Sequence, residues 1–160
     1  MRTRTVILTL AIALSGGLIT INAADKPAHK HAGGPKGGRL LECGPPHAEF
    51  LVEKDRSVTV SFYDEKLKPV AVNGQSVIVY AEAKSGKARL TFSGKGGALR
   101  STKPLPAGDG YQVVVLVKAT AGGKSENFRF EFHDEKCEEC KRVEYACICD
   151  SHDHKDHKKK

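Results

Sequence analysis

The chain of 160 residues has no tryptophan, a single methionine and only 6 % aromatic residues. Without tryptophan there is no Cys…Trp…Cys spacing, so the internal disulfide of an antibody-like domain is not expected. Catalytic signatures are also missing: there is no G-x-S-x-G nucleophile elbow, no H-E-x-x-H, no Walker phosphate loop and no dinucleotide fingerprint. The glycine-rich stretches 33–38 and 94–97 do not follow a strand and open a helix, so they read as turns. No segment carries a helical apolar repeat of useful length. The formal charge is +7, but the lysines are scattered until Lys158, Lys159 and Lys160, and no aromatic-rich basic stripe joins them. A nucleic-acid partner is therefore not expected. A binding protein rather than an enzyme is the expectation.

What is present begins with residues 1–23, which read as a secretory signal peptide. Arg2 and Arg4 form a positive start, an apolar run follows, and Ala23 with Ala24 offers a small-residue cleavage site. Ser15, Gly16, Gly17 and Thr20 interrupt the run, which is short beside the roughly 20 apolar residues of a membrane span. No cysteine lies at the cleavage region to carry a lipid. The expected location is periplasmic or secreted, with no stable membrane anchor after cleavage. Residues 24–38, rich in Gly, Pro, Lys and His, read as a flexible linker. His29 and His31 within it are spaced to share a metal ion, although histidines in a linker are more often merely polar.

From residue 39 to 136 the apolar period is two. Val58, Val60 and Phe62 share one face of a strand over 57–63, and Phe128, Phe130 and Phe132 share one face over 127–133. Further strands are predicted over 40–43, 48–53, 76–83, 88–93 and 111–118. The unbroken apolar run from Val113 to Val117 suggests a central strand covered on both faces, paired with 127–133 as a hairpin. Asn73-Gly74, Ser85-Gly86, 93–97 and Gly122-Gly123 supply the positive φ angles that reversals need. An all-β, antiparallel immunoglobulin-like β-sandwich is the expected fold.

Residues 137–160 form a Cys/His-rich tail. It holds Cys137, Cys140, Cys147 and Cys149, four of the five cysteines, with His152, His154 and His157, three of the seven histidines. Thiolate and imidazole ligate zinc and copper ions, and C-x-x-C lets two sulfurs reach one ion. The six residues between the two cysteine pairs are too few for a zinc ribbon, but suit a small loop folding both pairs onto one ion. The alternation of Asp with His152, His154 and His157 suits weak, exchangeable capture. The same cysteines can instead close two disulfides linking the pairs, since an exported chain meets oxidising conditions. A third reading, thiol oxidoreductase, conflicts with the two glutamates inside the C-x-x-C and with its place after a β-hairpin. Cys43 and His47, with Glu49, are a further candidate ligand set, weighed against a solitary buried thiol.

The segments Gly37-Gly38-Arg39-Leu40-Leu41, Pro46-His47-Ala48-Glu49-Phe50 and Val58-Thr59-Val60-Ser61-Phe62-Tyr63-Asp64 with Lys68-Pro69-Val70 resemble a family of small exported proteins of unassigned function. The closing Cys137-x-x-Cys140…Tyr145-Ala146-Cys147-x-Cys149 resembles that family's tail. Its members are encoded beside heavy-metal efflux pumps and are similar to the N-terminal β domain of periplasmic efflux adaptor subunits. Cys43 departs from the pattern. The resemblance implies metal handling, and the combined expectation is a periplasmic, non-catalytic metal-binding accessory protein with a zinc or copper ion and a partner in an efflux system.

Overall fold

A computed structural model describes residues 32–149. Nine strands and one short 3₁₀ turn form it, and among the described residues no helix is long and apolar enough to cross a membrane. The strands are β1 (Arg39–Leu41), β2 (His47–Val52), β3 (Val58–Tyr63), β4 (Pro69–Val70), β5 (Ser76–Ala83), β6 (Gly86–Lys95), β7 (Ala98–Ser101), β8 (Tyr111–Lys118) and β9 (Glu126–Phe132), and the turn η1 is Glu144–Ala146. All pairings between strands are antiparallel, in the order β1-β2-β3-β7-β6-β5-β8-β9, with β4 attached to β3.

The all-β, antiparallel class is as the alternating pattern requires. The path is a single sheet that curls until it is nearly closed as a barrel. It does not resolve into two separate sheets, because β6 belongs to both halves: its first part pairs with β5 from Gly86 to Thr91, its second with β7 from Phe92 to Lys95. A two-residue turn, Gly96-Gly97 with φ of +59° and +80°, then sends the chain into β7. These left-handed angles favour glycine. The sequence pattern placed the whole of 93–97 in a turn and left out β7, which is only four residues long.

The hairpin of β8 and β9 forms as expected, in register from Tyr111↔Phe132 to Val117↔Glu126. β8 is paired on both sides. Its two faces differ: Val113, Val115 and Val117 are fully buried, while Val114 and Leu116 are half-exposed on the outside. The apolar run is thus one core face and one partly covered outer face.

Curling brings the two ends of the path together. Phe50 of β2 meets Phe130 of β9 edge-on, with ring centroids 5.4 Å apart. No backbone ladder joins β1 to β9, so this seam is not closed strand to strand.

Two polar clusters hold the outside. The first is Glu49, only 1 % exposed. It lies on the outer face of β2, covered by residues 34–38: its Oε1 accepts the N–H of Lys36 (2.8 Å) and of Gly38 (2.9 Å), and its Oε2 accepts the Tyr63 hydroxyl (2.7 Å). A Cβ on Gly34 would run into the Glu49 side chain, and one on Gly38 into the Phe50 carbonyl. Glycine is present here for close approach, and this end of the expected linker segment is packed on the sheet. Burial and the Glu49 carboxylate push the Tyr63 phenol up to about 12. The second cluster surrounds Arg56, whose guanidinium donates to Asp134, to the carbonyls of Pro106 and Gly108 and to the Tyr111 hydroxyl. Beside it His133 Nδ1 lies 2.9 Å from Asp109 Oδ2 and its Nε2 lies 3.7 Å from Glu131.

Removing the buried carboxylate leaves two N–H groups and a phenol without an acceptor. Glu49→Ala is therefore expected to destabilise by about 1–3 kcal/mol, read as a lowered urea midpoint at unchanged slope. At His133 burial favours the neutral ring, but contacts with Asp109 and Glu131 outweigh it and raise the pKa. The group therefore stabilises the fold fully below its unfolded value near 6.5, and that contribution is lost as pH rises through the folded value. Urea midpoints from pH 6 to 9 should fall less in His133→Gln than in the wild type.

Candidate metal centre

After β9 the chain makes a compact knuckle. An isolated bridge between Lys136 and Val143 closes its base. Inside, the Cys137 N–H donates to the Arg142 carbonyl (2.8 Å) and the Lys141 N–H to the Cys137 carbonyl (3.0 Å). Lys141 has φ +60°, an uncommon angle for a side chain other than glycine. This reversal sets Cys140 beside Cys137. The turn η1 follows, ended by the Cys147 N–H donating to the Glu144 carbonyl at 3.0 Å, and it returns the chain so that Cys147 and Cys149 face the knuckle.

The four sulfurs converge. All lie within 4.8 Å of one another, with Cys137 Sγ 3.8 Å from Cys149 Sγ and Cys140 Sγ 3.6 Å from Cys147 Sγ. Those separations far exceed the roughly 2.05 Å of a disulfide bond. Four thiolates at the usual zinc–sulfur distance of 2.3 Å occupy the corners of a tetrahedron whose edge is about 3.8 Å. The donor set and its spacing therefore fit one tetrahedral ion. Cys137 is buried at 2 % exposure and the other three are half-exposed, so the centre has a protein-facing floor and a side open to solvent.

Its electrostatics are uneven. At Cys140 burial opposes ionisation, but the backbone N–H groups of Ile148 and Arg142 and the thiols of Cys147 and Cys149 prevail and hold its pKa below the usual value. Burial pushes Cys147 up; at Cys149 burial, Glu139 and the neighbouring thiols do the same. The Cys149 N–H donates to Cys147 Sγ at 3.4 Å. Thiols held high in this way lose their protons readily only to a cation placed among them.

The segment carrying the cysteines is anchored in the barrel. Tyr145 and Ala146 are 3 % and 1 % exposed. The Tyr145 ring lies 6.0 Å from Phe50, 6.5 Å from Phe130 and 5.3 Å from Phe132. Its hydroxyl accepts the Val52 N–H (3.0 Å), its N–H donates to the His133 carbonyl (3.1 Å), and its carbonyl accepts from Arg39 (3.1 Å). Arg39 in turn lies over the Phe130 ring. Arg142 donates to the carbonyls of Gly38 (3.3 Å) and Gly34 (3.2 Å).

Of the expected ligands, Cys137, Cys140, Cys147 and Cys149 are brought together. His152, His154 and His157 lie outside the described residues, as do His29, His31 and residues 1–23. Cys43, His47 and Glu49 are not assembled as ligands among the described residues. The Cys43 thiol is buried, with its pKa raised by burial and then by Glu126, and donates to the Pro46 carbonyl at 3.3 Å; the Glu49 oxygens are occupied by Lys36, Gly38 and Tyr63. The sequence reading missed the supporting roles of Arg39, Lys141, Arg142 and Tyr145. The available signal was Val143, Tyr145 and Ala146, three apolar residues among the six between the two cysteine pairs. Comparison with known protein families, curated proteins and solved structures finds no match to this chain.

Proposed function

We propose that this chain is an exported, non-catalytic metal-binding protein that holds one ion through Cys137, Cys140, Cys147 and Cys149. The observation that carries this reading is the mutual approach of four sulfurs to within 4.8 Å. Two disulfides would need each sulfur near only one partner, whereas a single ion needs all four together. Tetrahedral tetrathiolate coordination suits zinc, which has no geometric preference of its own to oppose it. Copper(I) is the alternative ion with the same soft ligands. Three half-exposed thiols favour a site that exchanges metal, and His152, His154 and His157 act in this reading as recruiting ligands. The sandwich-like barrel, whose halves share β6, is the scaffold for a partner. The resemblance noted above makes that partner a periplasmic efflux-system protein and the role one in metal efflux or tolerance. Residues 1–23 serve as the cleaved leader. Burial of Cys137, the first thiol of the C-x-x-C, favours ligation over thiol exchange, which needs an accessible thiolate.

The second reading is a disulfide-closed interaction module of the cell envelope. It has one observation in its favour: Cys137 lies 3.8 Å from Cys149 and Cys140 lies 3.6 Å from Cys147, contacts that link the two pairs as a staple would.

Intact mass of the protein purified from the periplasm, native and denatured, separates them. One ion per chain, with the tail thiols reactive after denaturation, is the expected result. Changing all four cysteines to serine should abolish tight binding. His152, His154 and His157 changed together to alanine should keep the one-ion stoichiometry and slow loading. A metal-free mass lighter by four hydrogens, with Cys43 alone reactive, would replace the metal reading with the staple.

A further inference from the structure

We infer that metal occupancy of the four-cysteine centre governs whether residues 143–146 are seated in the seam between β1 and β9, so that the centre is a latch on the barrel. The inference rests on the metal-binding reading above. The segment 143–146 lies between the two cysteine pairs, and it is the part of the chain that fills the seam. Tyr145 reaches both sides of the gap at once: its ring meets Phe50 on β2 and Phe130 and Phe132 on β9, its hydroxyl accepts the Val52 N–H, and its backbone meets Arg39 and the end of β9 at His133. β1 pairs with β2 only from Phe50 back to Ala48. Val52 therefore lies beyond the end of β1, and its N–H faces the seam.

An ion bound by both pairs ties residue 137 to residue 149 and so holds both ends of the seam-filling segment. The knuckle half is further joined to the N-terminal loop through Arg142 and the carbonyls of Gly34 and Gly38. Without the ion, the thiols lose the common centre that draws the C-terminal pair toward the knuckle. The order of 143–149 then depends on Tyr145 and its few hydrogen bonds against the conformational entropy of about seven residues. Opening this segment leaves the ladders of β5, β6 and β8 intact, because none of them contributes to the seam. Linkage requires the converse: a seated Tyr145 raises metal affinity by the factor by which metal favours seating. The same movement uncovers the edge of β9, the edge of β1 beyond the Gly33–Arg39 bridge, and the rings of Phe50 and Phe130, so metal loading and the surface offered at the seam change together.

Amide hydrogen exchange of the mature chain, with zinc and after chelation, tests the latch. Zinc should slow exchange at Val52 and Tyr145 by about tenfold or more, the scale of typical coupling between linked sites, with Val79 and Val115 unchanged. The chain with all four cysteines changed to serine should match the metal-free state. Tyr145→Ala should bind one zinc with affinity lowered about tenfold, and Tyr145→Phe, which keeps the ring, should lose less. One zinc bound with no change at Val52 and Tyr145 would overturn the latch while leaving the metal-binding reading standing. Loss of protection at Val79 and Val115 together with the seam would overturn it in favour of a staple for the whole fold. If neither zinc nor copper(I) binds, the latch and the reading beneath it both fall.

Discussion

The closure of this barrel depends on one aromatic side chain. A curled antiparallel sheet must cover the apolar faces of its first and last strands, and full closure by hydrogen bonds would remove both edges. Here β1 and β9 make no ladder with each other. Tyr145, carried on a short turn after β9, packs among Phe50, Phe130 and Phe132 and accepts the Val52 N–H at its hydroxyl. Burying such a ring contributes several kcal/mol, judged by the roughly 3–5 kcal/mol lost when large buried aromatics are truncated. The cation of Arg39 over Phe130 and its bond to the Tyr145 carbonyl complete the closure from the β1 side.

The four cysteines stand on either side of this plug, so core and metal centre share a segment. Ligands brought together only in the folded chain make metal-binding free energy part of folding free energy. For the proposed metal centre that coupling is local. Val79 and Val115 are fully buried on the inner strands β5 and β8, and the β5–β6 and β5–β8 ladders stand without the seam. The scaffold therefore has the means to stay folded while its C-terminal segment responds to an ion.

Glu49 organises the outer face of β2 in a different way. A buried carboxylate is costly unless its oxygens are fully used, and three donors from the N-terminal loop and β3 use them. That loop then offers the Gly34 and Gly38 carbonyls to Arg142. A chain of polar contacts thus runs from the outer face of β2 to the cysteine knuckle. It explains why glycines, which suggest a loose linker by composition, are needed where backbone and carboxylate come close.

Alternation of Val58, Val60 and Phe62, and of Phe128, Phe130 and Phe132, was enough to define strands, because which side of a strand is buried is a local, period-two property. The β8–β9 hairpin and the grouping of the four cysteines were equally legible, since both join residues close in the chain. The sharing of β6 between two halves was not, because it depends on where a ten-residue strand changes partners. Nor was the burial of Glu49, whose acceptors are filled by donors 11 to 14 residues away. Tyr145 is the clearest case. Locally it is one aromatic residue in a polar, cysteine-rich stretch, and only the curl of the sheet, which brings β2 and β9 together, creates the gap it fills. Residue types determined the chemistry at the centre, and the tertiary structure decided that this chemistry is attached to the seam of the barrel.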